Sequence, residues 1–340
     1  MSDTGWPNVL TTLLEGNSLN ESQSSWAMER IMQAEATPAQ FGAFVSALRA
    51  KGETVDEILG LVKTMRRFSK KISVDFPVLD TCGTGGDRAG TINVSTIAAF
   101  VAAGAGAKVA KHGNRAASSA CGSADLLEEL GVKLELEPKA VATCIENAGI
   151  GFCFAPIFHP AMRHAAGLRR ELGIRTIFNF LGPLTNPAGA THQVIGVPDQ
   201  VMAPKMAEVL KRLGTVHSLV VRGSDGLDEV TTTGPSDVWA IHDGEVKSFQ
   251  LVLEDFGVEG SEAHELRGGT PTENAKIALE VLSGTRGPAR DVVVVNAACA
   301  LIAYDMVQDL SVAVAKANES IESGRARESL DMLIDFSNRL

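Results

Sequence analysis

The run Asp80–Asp87 has the sequence DTCGTGGD and follows a short apolar segment. Three of the four residues from 83 to 86 are glycine. Backbone without a Cβ atom can turn sharply and direct several N–H groups at one anion. Asn93–Thr96 comes next, and it opens a predicted helix whose N-terminal amides add positive potential. The two segments together predict a cradle for phosphate, although a glycine cluster taken alone is equally compatible with a tight turn.

This cradle differs from two common nucleotide-binding motifs. The G-x-x-x-x-G-K-[ST] spacing of a P-loop is absent. Arg88 stands where the third glycine of a dinucleotide-binding fingerprint would be. A second glycine pair, Gly104 and Gly106, follows a predicted helix rather than a strand, so it does not supply that fingerprint either.

A second group of polar side chains occupies the nine residues Lys111–Ser119, directly after the next predicted strand. The run KHGNRAASS combines a lysine, a histidine, an asparagine, an arginine and two serines. Lysine can supply a point charge to phosphate, and asparagine and serine can orient a phosphate or a sugar. Loops at the carboxyl ends of neighbouring parallel strands meet at one sheet edge, so we expect this run and the glycine loop to face the same ligand. The alternative, an exposed loop without a ligand, would account for one of these polar residues but poorly for so many within nine positions.

Adjacent carboxylates follow a later predicted strand in the run Asp225–Thr231, DGLDEVT. Neighbouring carboxylates repel each other unless a positive charge lies close to them. Mg²⁺ prefers a few carboxylates together with substrate phosphates and water. Asp228 and Glu229 fit such a partial site, with Ser95 as a further oxygen ligand from the cradle. The alternative is an ordinary acidic turn that binds no metal, and the run taken alone favours that alternative.

The histidines and cysteines show no metal-binding or nucleophile motif in the linear sequence. His159 and His164 are five positions apart, rather than the four of an H-E-x-x-H helix. Neither a G-x-S-x-G turn nor a cysteine-centred nucleophile motif is present. Scattered cysteines without a C-x-x-C pair are typical of small buried side chains that stay reduced in a cytoplasmic protein. They are Cys82, Cys121, Cys144, Cys153 and Cys299.

The order of predicted elements is that of an α/β protein. The first seventy or so residues contain helices only, with Thr37 and Pro38 at one helix start and Thr54 with Glu57 as a capping box at the next. From Phe76 onward, strands, glycine-rich turns and helices alternate. This alternation predicts a largely parallel sheet with helical crossovers.

Local signals predict four further features. We expect Ser123 to cap a helix and Asn179–Pro187 to be a loop rich in Gly, Pro and Asn. Val238–Phe249 predicts a hairpin over Asp243-Gly244. Val292–Val295 has the propensity of a strand, but the preceding proline and the alanine-rich continuation favour a helix.

Composition limits the class of protein. A chain of 340 residues is expected to form one large and one small domain. The net charge of -10 argues against a nucleic-acid-binding surface, but local amides, a lysine and a metal can still hold an anionic metabolite. The polar N-terminus predicts no signal peptide. The longest apolar runs, Ile97–Ala107 and Val292–Tyr304, are too short to span a bilayer.

Together these segments resemble the anthranilate phosphoribosyltransferases of tryptophan biosynthesis, over the chain from about Leu10 to the C-terminus. The glycine loop is shared with pyrimidine nucleoside phosphorylases and so indicates only the superfamily. The runs Lys111–Ser119 and Asn179–Pro187 are more specific for the family. The segments that carry the resemblance are Gly83–Asp87, Asn93–Thr96, Lys111–Ser119 with Ser123, Asn179–Pro187 and Asp225–Glu229.

The resemblance implies a homodimer whose subunit has a small all-helical domain, a large α/β domain with a largely parallel central sheet flanked by helices, and a cleft between them. It assigns residues 1–73 and approximately 160–187 to the small domain, and residues 74–159 and 188–340 to the domain that binds metal and phosphoribosyl pyrophosphate. The implied reaction transfers phosphoribosyl from 5-phosphoribosyl 1-pyrophosphate to the amino group of anthranilate. Its products are N-(5-phosphoribosyl)anthranilate and pyrophosphate, and its cofactor is Mg²⁺.

The resemblance also implies roles for individual residues. Those implied for phosphoribosyl pyrophosphate are Gly83, Gly86, Asp87, Thr91, Asn93, Val94, Ser95, Thr96, Lys111, His112, Gly113, Asn114, Arg115, Ala116, Ala117, Ser118, Ser119 and Ser123. Those implied for anthranilate are Gly83, His112, Asn114, Arg169 and Pro183, and those for the metal are Ser95, Asp228 and Glu229. Arg169 is the expected partner of the anthranilate carboxylate, because arginine offers paired donors to a planar carboxylate. No side-chain general base is assigned, since a neutral aryl amine already carries a lone pair.

Two rival functions stay open at this point. A pyrimidine nucleoside phosphorylase would share the glycine loop but gives no account of Asn179–Pro187. A non-catalytic nucleic-acid-binding relative would need a basic face, against which the net charge of -10 argues. It would also tolerate the loss of Asp228 and Glu229, which are present. We therefore expect neither a nucleic-acid nor a membrane partner.

Overall fold

The computed structural model describes residues 5–116 and 119–340 of the chain. At the centre of this part is a seven-stranded sheet with the spatial order β3-β2-β1-β4-β5-β6-β7. The strands are β1 (Leu79–Gly83), β2 (Val109–Gly113), β3 (Ile150–Phe154), β4 (His192–Gly196), β5 (His217–Gly223), β6 (Ser236–His242) and β7 (Glu245–Leu251). Strands β1 to β5 pair in parallel, and β6 and β7 continue the sheet antiparallel. The prediction of a largely parallel sheet is confirmed.

Helices precede the sheet and cover it. The α-helices of the described residues are α1 (Trp6–Leu14), α2 (Glu21–Met32), α3 (Pro38–Lys51), α4 (Val55–Arg67), α5 (Val94–Gly104), α6 (Ser123–Glu129), α7 (Pro138–Ala148), α8 (Ala155–Phe158), α9 (Arg163–Leu172), α10 (Phe178–Leu181), α11 (Met202–Arg212), α12 (Leu253–Phe256), α13 (Pro271–Leu282), α14 (Pro288–Ala303), α15 (Leu310–Glu322) and α16 (Arg325–Arg339). Short 3-10 turns cover Pro160–Met162, Gly182–Leu184 and Ala263–Leu266. None of these helices is long and apolar enough to cross a membrane.

The two faces of the sheet pack into separate hydrophobic clusters. Successive side chains of a strand point to opposite faces, so Leu219 and Val221 of β5 join one cluster and Val220 joins the other. The first cluster contains the apolar side chains of α5, α14, α15 and α16. The second contains those of α11 together with α1 to α4. The sheet is therefore buried on both faces, as expected for parallel strands.

The four N-terminal helices share their core with a segment from the middle of the chain. Phe41 of α3 packs on Phe178 of α10, with ring centroids 5.5 Å apart. The Arg66 Nε atom at the end of α4 donates to the Leu184 carbonyl at 2.7 Å. Thr37 caps α3 and Thr54 begins α4 with a capping box, as predicted, and Thr37 also forms a capping box with Gln40. Residues far apart in sequence thus build one helical unit beside the sheet.

Two of the local predictions are confirmed. The β6–β7 hairpin turns at Asp243 and Gly244, whose φ angles of 51° and 74° give the left-handed pair of a tight hairpin. Val292–Val295 lies inside helix α14, because burial on all sides selects a helix in spite of the strand propensity of valine.

Two other local predictions are wrong in detail. Ser123 is the first residue of α6 rather than its cap, which is Gly122, and its hydroxyl donates instead to the Asn114 carbonyl at 3.2 Å. Within Asn179–Pro187, helix α10 and the 3-10 turn Gly182–Leu184 replace most of the predicted loop. The backbone of this run makes single helical turns, because Phe180, Leu181 and Leu184 are drawn into the core.

Candidate active site

The glycine loop follows β1 and is held from two sides. The Thr84 amide donates to the Gly196 carbonyl of β4 at 2.9 Å. Arg175 reaches across from the segment before α10, and its Nη1 atom donates to the Gly85 carbonyl at 2.7 Å. At Gly86, φ is +82°, which favours glycine, and an added Cβ would lie 1.1 Å from Arg175 Nη1, so a larger residue would strain the backbone and displace Arg175. The loop is thus anchored to β4 and to Arg175.

Asp228 packs against two glycines that are paired on neighbouring strands. Gly83 of β1 and Gly196 of β4 are register partners. A Cβ on Gly83 would lie 2.1 Å from Asp228 Oδ2, and a Cβ on Gly196 would lie 1.5 Å from the Asp228 carbonyl oxygen. The Gly85 amide donates to Asp228 Oδ2 at 2.7 Å. The carboxylate therefore touches the backbone of the predicted phosphate cradle.

Glu229 connects the acidic turn to the start of α5 and to a buried lysine. Its Oε1 atom accepts from the Ser95 amide at 3.1 Å. Lys111 is fully buried, and its Nζ atom lies 3.5 Å from Ser95 Oγ and donates to the Thr81 carbonyl. Glu229, Ser95 and Lys111 thus meet at the carboxyl ends of β1 and β2, as predicted for loops at one sheet edge.

The electrostatics of the carboxylate pair fit a divalent cation. Burial, followed by the nearby Asp87 carboxyl, raises the pKa of Asp228 to about 7. Burial, followed by the charge of Asp228, raises the pKa of Glu229 to about 8, against a smaller lowering by Lys111. Each anion is disfavoured by desolvation and by its neighbours, and a bound cation removes both penalties. Carboxylates beside a serine hydroxyl are the oxygen donors that Mg²⁺ prefers.

A buried polar network lies under the cradle and orients the Lys111 loop. Asp80 accepts from the His112 amide at 3.0 Å and from Asn186 Nδ2 at 2.7 Å. Asn186 Nδ2 also donates to the Ala110 carbonyl at 2.7 Å. The Asn179–Pro187 run therefore supplies a buried amide that ties β1 to β2. This contact accounts for the second of the two asparagines in the run.

His112 faces the opposite wall of the cleft as a neutral ring. Burial, followed by the nearby His159, lowers the pKa of His112 to about 3. Its Nδ1 atom lies 3.1 Å from the Gly182 carbonyl, an acceptor, so Nδ1 carries the proton. Nε2 is then a buried acceptor without a partner among the residues that the structure describes. An acceptor at this position can receive a hydrogen bond from a ligand N–H or O–H group.

Arg169 occupies the last turn of α9 on the same wall. Its guanidinium stands over the Phe178 ring, 5.7 Å from the ring centroid. Burial lowers the pKa of Arg169. A desolvated guanidinium beside aromatic and apolar groups is suited to a planar carboxylate.

These walls enclose a cavity of about 880 Å³ between the sheet edge and the α8–α10 segment. It is lined by every described residue that the sequence analysis assigned to a substrate or to the metal. Ala117 and Ser118 lie outside the described residues. Arg115 borders the cavity, while its guanidinium pairs with Asp125 at 3.0 Å and Glu128 at 2.8 Å. The geometry thus brings the predicted residues to one place.

Comparison with known proteins agrees with this geometry. The family described as "Glycosyl transferase family, a/b domain" matches residues 75–327, and "Glycosyl transferase family, helical bundle domain" matches residues 7–69. The chain is 53% identical to anthranilate phosphoribosyltransferase of Moorella thermoacetica, over 96% of each chain. It is 52% identical to that of Chloroflexus aurantiacus strain J-10-fl, over 97% of this chain and 98% of the relative. The chain belongs to the anthranilate phosphoribosyltransferase family.

Solved structures of the anthranilate phosphoribosyltransferase family share the whole fold. The Thermus thermophilus enzyme superposes with a TM-score of 0.92 at 42% identity, over 97% of this chain and 99% of that one. The Saccharomyces cerevisiae enzyme in complex with PRPP (phosphoribosyl pyrophosphate) and Mg superposes with a TM-score of 0.91 at 32% identity, over 100% of this chain and 99% of that one. The yeast enzyme in complex with 4-fluoroanthranilate gives 0.89 at 30% identity and covers 100% of both chains.

The anthranilate phosphoribosyltransferase fold also places residues at the cleft that sequence reasoning missed. Arg175 holds the glycine loop, yet no local pattern distinguishes it from other arginines. Asn274 of α13 donates from Nδ2 to Asn93 Oδ1 at 2.8 Å and so orients the start of α5. A signal for α13 was available, because Thr270, Pro271 and Glu273 form a capping box with proline at the first helical position.

Proposed function

We propose that this chain transfers the phosphoribosyl group of phosphoribosyl pyrophosphate to the amino group of anthranilate, with Mg²⁺ at the carboxylate pair. The observation that carries the proposal is the contact of Asp228 and Glu229 with the glycine loop and with the start of α5. Two partly buried carboxyls that can hold Mg²⁺ against a phosphate cradle suit a reaction in which pyrophosphate leaves and its growing negative charge must be neutralised.

The donor would lie along the sheet edge. Amides of the glycine loop and of the α5 start would bind the phosphates, and Lys111 would supply a fixed positive charge behind them. Asn93, which Asn274 orients, would position the ribose. Bond breaking at the ribose C1 would leave positive charge on the sugar and add negative charge to the departing pyrophosphate.

Asp228, Glu229 and the Ser95 hydroxyl would hold the Mg²⁺ ion. When bound, Mg²⁺ supplies charge neutralisation to the leaving pyrophosphate. The reaction needs no strong side-chain base, because the aryl amine of anthranilate is neutral near pH 7. Positioning of that amine against C1 is the larger requirement.

Anthranilate would enter against the α8–α10 wall. Arg169 would pair with its carboxylate, and Pro183 and Phe178 would pack on its ring. His112 Nε2, a buried acceptor, would receive a hydrogen bond from the amino group. Amine and donor would then face each other across the cavity, which is the arrangement that an in-line transfer needs.

The test is identification of products by mass spectrometry. Purified protein with Mg²⁺, phosphoribosyl pyrophosphate and anthranilate is expected to form N-(5-phosphoribosyl)anthranilate and pyrophosphate in equal amounts. Thymidine or uridine with phosphate is the matched substrate pair for a nucleoside phosphorylase. Release of the free base from that pair, with no anthranilate product from the first, would overturn the proposal.

Three further proposals concern the domain organisation, the oligomeric state and the cellular location. We propose that residues 1–73 and approximately 160–187 form one small domain, which the Phe41–Phe178 contact and the Arg66–Leu184 hydrogen bond support. We propose a homodimer on the family resemblance, and light scattering during gel filtration would give twice the chain mass. The unpaired, buried state of all five cysteines supports the proposal of a cytoplasmic location.

A further inference from the structure

Three histidines form a single row across three neighbouring strands. His192 of β4 is the register partner of His217 of β5, and His217 is the register partner of His242 of β6. Register partners on adjacent strands carry side chains on the same face, about 5 Å apart. The rings of His217 and His242 lie close together, with centroids 4.4 Å apart. The row is invisible in the linear sequence, where the histidines are spaced by about 25 residues.

One carboxylate, from the turn between α14 and α15, faces this row. Asp305 Oδ1 lies 2.6 Å from His217 Nδ1 and 3.8 Å from His242 Nε2. Its Oδ2 lies 3.5 Å from His192 Nε2. Asp305 has a φ of 57°, a left-handed conformation that asparagine and aspartate adopt more readily than most residues, and its carboxylate faces the histidines from this turn.

We propose that His217, His242 and Asp305 bind a divalent transition-metal ion of the zinc type. Their ligand atoms, Nδ1, Nε2 and a carboxylate oxygen, all lie within 4.8 Å of one another. Bonds of about 2.0–2.1 Å to one central ion place tetrahedral ligand atoms roughly 3.3 Å apart. The His217–Asp305 pair at 2.6 Å must therefore separate slightly and the His242–Asp305 pair at 3.8 Å must approach, which side-chain rotation of the two more exposed residues, His242 and Asp305, supplies. Two imidazoles with one carboxylate favour zinc over Mg²⁺ or Ca²⁺.

Neighbouring groups would orient the three ligands. His242 Nδ1, the ring nitrogen not used for the metal, lies 3.5 Å from Asp243 Oδ2. His192 contacts the second oxygen of Asp305, and its own Nδ1 lies 3.0 Å from Thr191 Oγ1. A carboxylate behind a ligating histidine, and a donor behind a ligating carboxylate, are the usual outer contacts of protein metal sites.

The proposed zinc site is separate from the active site. His192 and His217 begin β4 and β5, while Gly196 at the other end of β4 contacts Asp228. Four residues of strand span about 13 Å. A metal here would therefore join the α14–α15 turn to the sheet without touching the substrates, which gives it a role in stability.

The experiment titrates Zn²⁺ into protein that carries Asp228→Asn and Glu229→Gln, so that the active-site carboxylates do not compete. A chromophoric chelator reports free Zn²⁺, and Co²⁺ in place of Zn²⁺ reports ligand geometry through its visible absorption. We expect one ion per chain. We also expect the melting temperature to rise with Zn²⁺.

Two further changes test the assignment. His217→Gln with His242→Gln is expected to weaken Zn²⁺ binding by at least about 100-fold, and Asp305→Asn by about 10- to 100-fold. Asp305→Asn alters a partly exposed turn, so it keeps the test valid even where the double histidine variant does not fold. The matched control is His264→Gln, because His264 also pairs with a carboxylate, Glu262, at 3.1 Å. Equal Zn²⁺ binding by Asp305→Asn and the control, or no bound ion at all, would overturn the proposal.

Discussion

Asp228 and Glu229 make the stability of the metal-free protein depend on pH in an unusual direction. Burial raises the pKa of Asp228 to about 7 and that of Glu229 to about 8. Between about pH 4 and pH 8 the folded chain therefore binds more protons at these carboxyls than the unfolded chain does. Under proton linkage, this contribution is complete below pH 4 and is lost as the pH rises through the folded pKa values.

We predict that metal-free protein loses thermal stability between pH 5 and pH 8 more steeply than the Asp228→Asn/Glu229→Gln variant. The variant has no charge to bury at these two positions, so its slope lacks this contribution. Differential scanning calorimetry in chelator, across that pH range, measures both slopes. Added Mg²⁺ should flatten the wild-type slope only. Equal slopes in chelator would show that the two carboxyls titrate normally.

Gly83 is the residue at which a single methyl group should remove activity. Its added Cβ would lie 2.1 Å from Asp228 Oδ2, so Gly83→Ala must displace that carboxylate. We predict that kcat/KM falls at least about 100-fold, which corresponds to about 2.7 kcal/mol. Steady-state kinetics with both substrates measures the change.

Gly167→Ala is the matched control for Gly83→Ala. Gly167 lies in α9, and an added Cβ there would meet no atom of the described residues within 4 Å. Alanine in a helix should raise the free energy of unfolding by about 0.5–1 kcal/mol and leave kcat/KM unchanged. Similar losses of activity in both variants would mean that close approach of Gly83 to Asp228 is not the cause.

At the scale of elements, the segment between α9 and α10 acts as a support for the glycine loop. Arg175 donates to Gly85 and also lies over the Phe180 ring, 5.4 Å from its centroid. We predict that Arg175→Met lowers kcat/KM for phosphoribosyl pyrophosphate by about 10- to 100-fold, because a charged hydrogen bond contributes about 1.5–3 kcal/mol. The effect should appear mainly in KM of the donor. Arg170→Met changes an exposed arginine of the preceding helix α9 and should leave kcat/KM unchanged.

Elements whose cause is local were predictable from the sequence. Capping boxes at Thr37 and Thr54 and the Asp243-Gly244 turn rest on contacts within a few residues. The α14 helix was predictable because a proline starts it and alanines continue it. By contrast, the short turns of Asn179–Pro187 arise from burial against distant helices, and propensity carries no information on such burial.

Some residues of the candidate site were also predictable from the sequence, and others were not. Residues in loops after strands, such as Lys111, Ser95 and Asp228, were predictable because parallel topology brings those loops together. Arg175 reaches the cleft, and Asn274 reaches Asn93 behind it, from elsewhere in the chain. Local patterns predict the helix that carries Asn274 but do not mark either residue as part of the site. The histidine row depends on strand register across β4, β5 and β6, which is settled only by the packed sheet.

At the scale of the whole molecule, the segments of chain that connect the helical unit to the sheet lie next to one another. The Lys70 amide donates to the Phe158 carbonyl at 2.9 Å, and the Ile72 amide donates to the Pro187 carbonyl at 3.1 Å. Three separate crossings of the chain are thus held together, and the cavity opens beside them. We predict that these connecting segments act as the hinge of the closure tested below.

We predict that the cleft closes when both substrate positions are filled. A benzoate that lacks the amino group, with phosphoribosyl pyrophosphate and Mg²⁺, fills both positions without reaction. Small-angle X-ray scattering should then show a smaller radius of gyration than for free protein. Mg²⁺ with phosphoribosyl pyrophosphate alone is the control for partial closure. Identical scattering profiles with and without the ligands would show that the two units do not move.

The measurement that tests the central claim most directly follows anthranilate fluorescence over time. The account predicts a loss of fluorescence only when protein, phosphoribosyl pyrophosphate and Mg²⁺ are all present. The rate should fall at least about 100-fold in the Asp228→Asn/Glu229→Gln variant, because the leaving pyrophosphate then lacks its neutralising charge. An undiminished rate in that folded variant, or no loss of fluorescence from the complete wild-type mixture, would contradict the account.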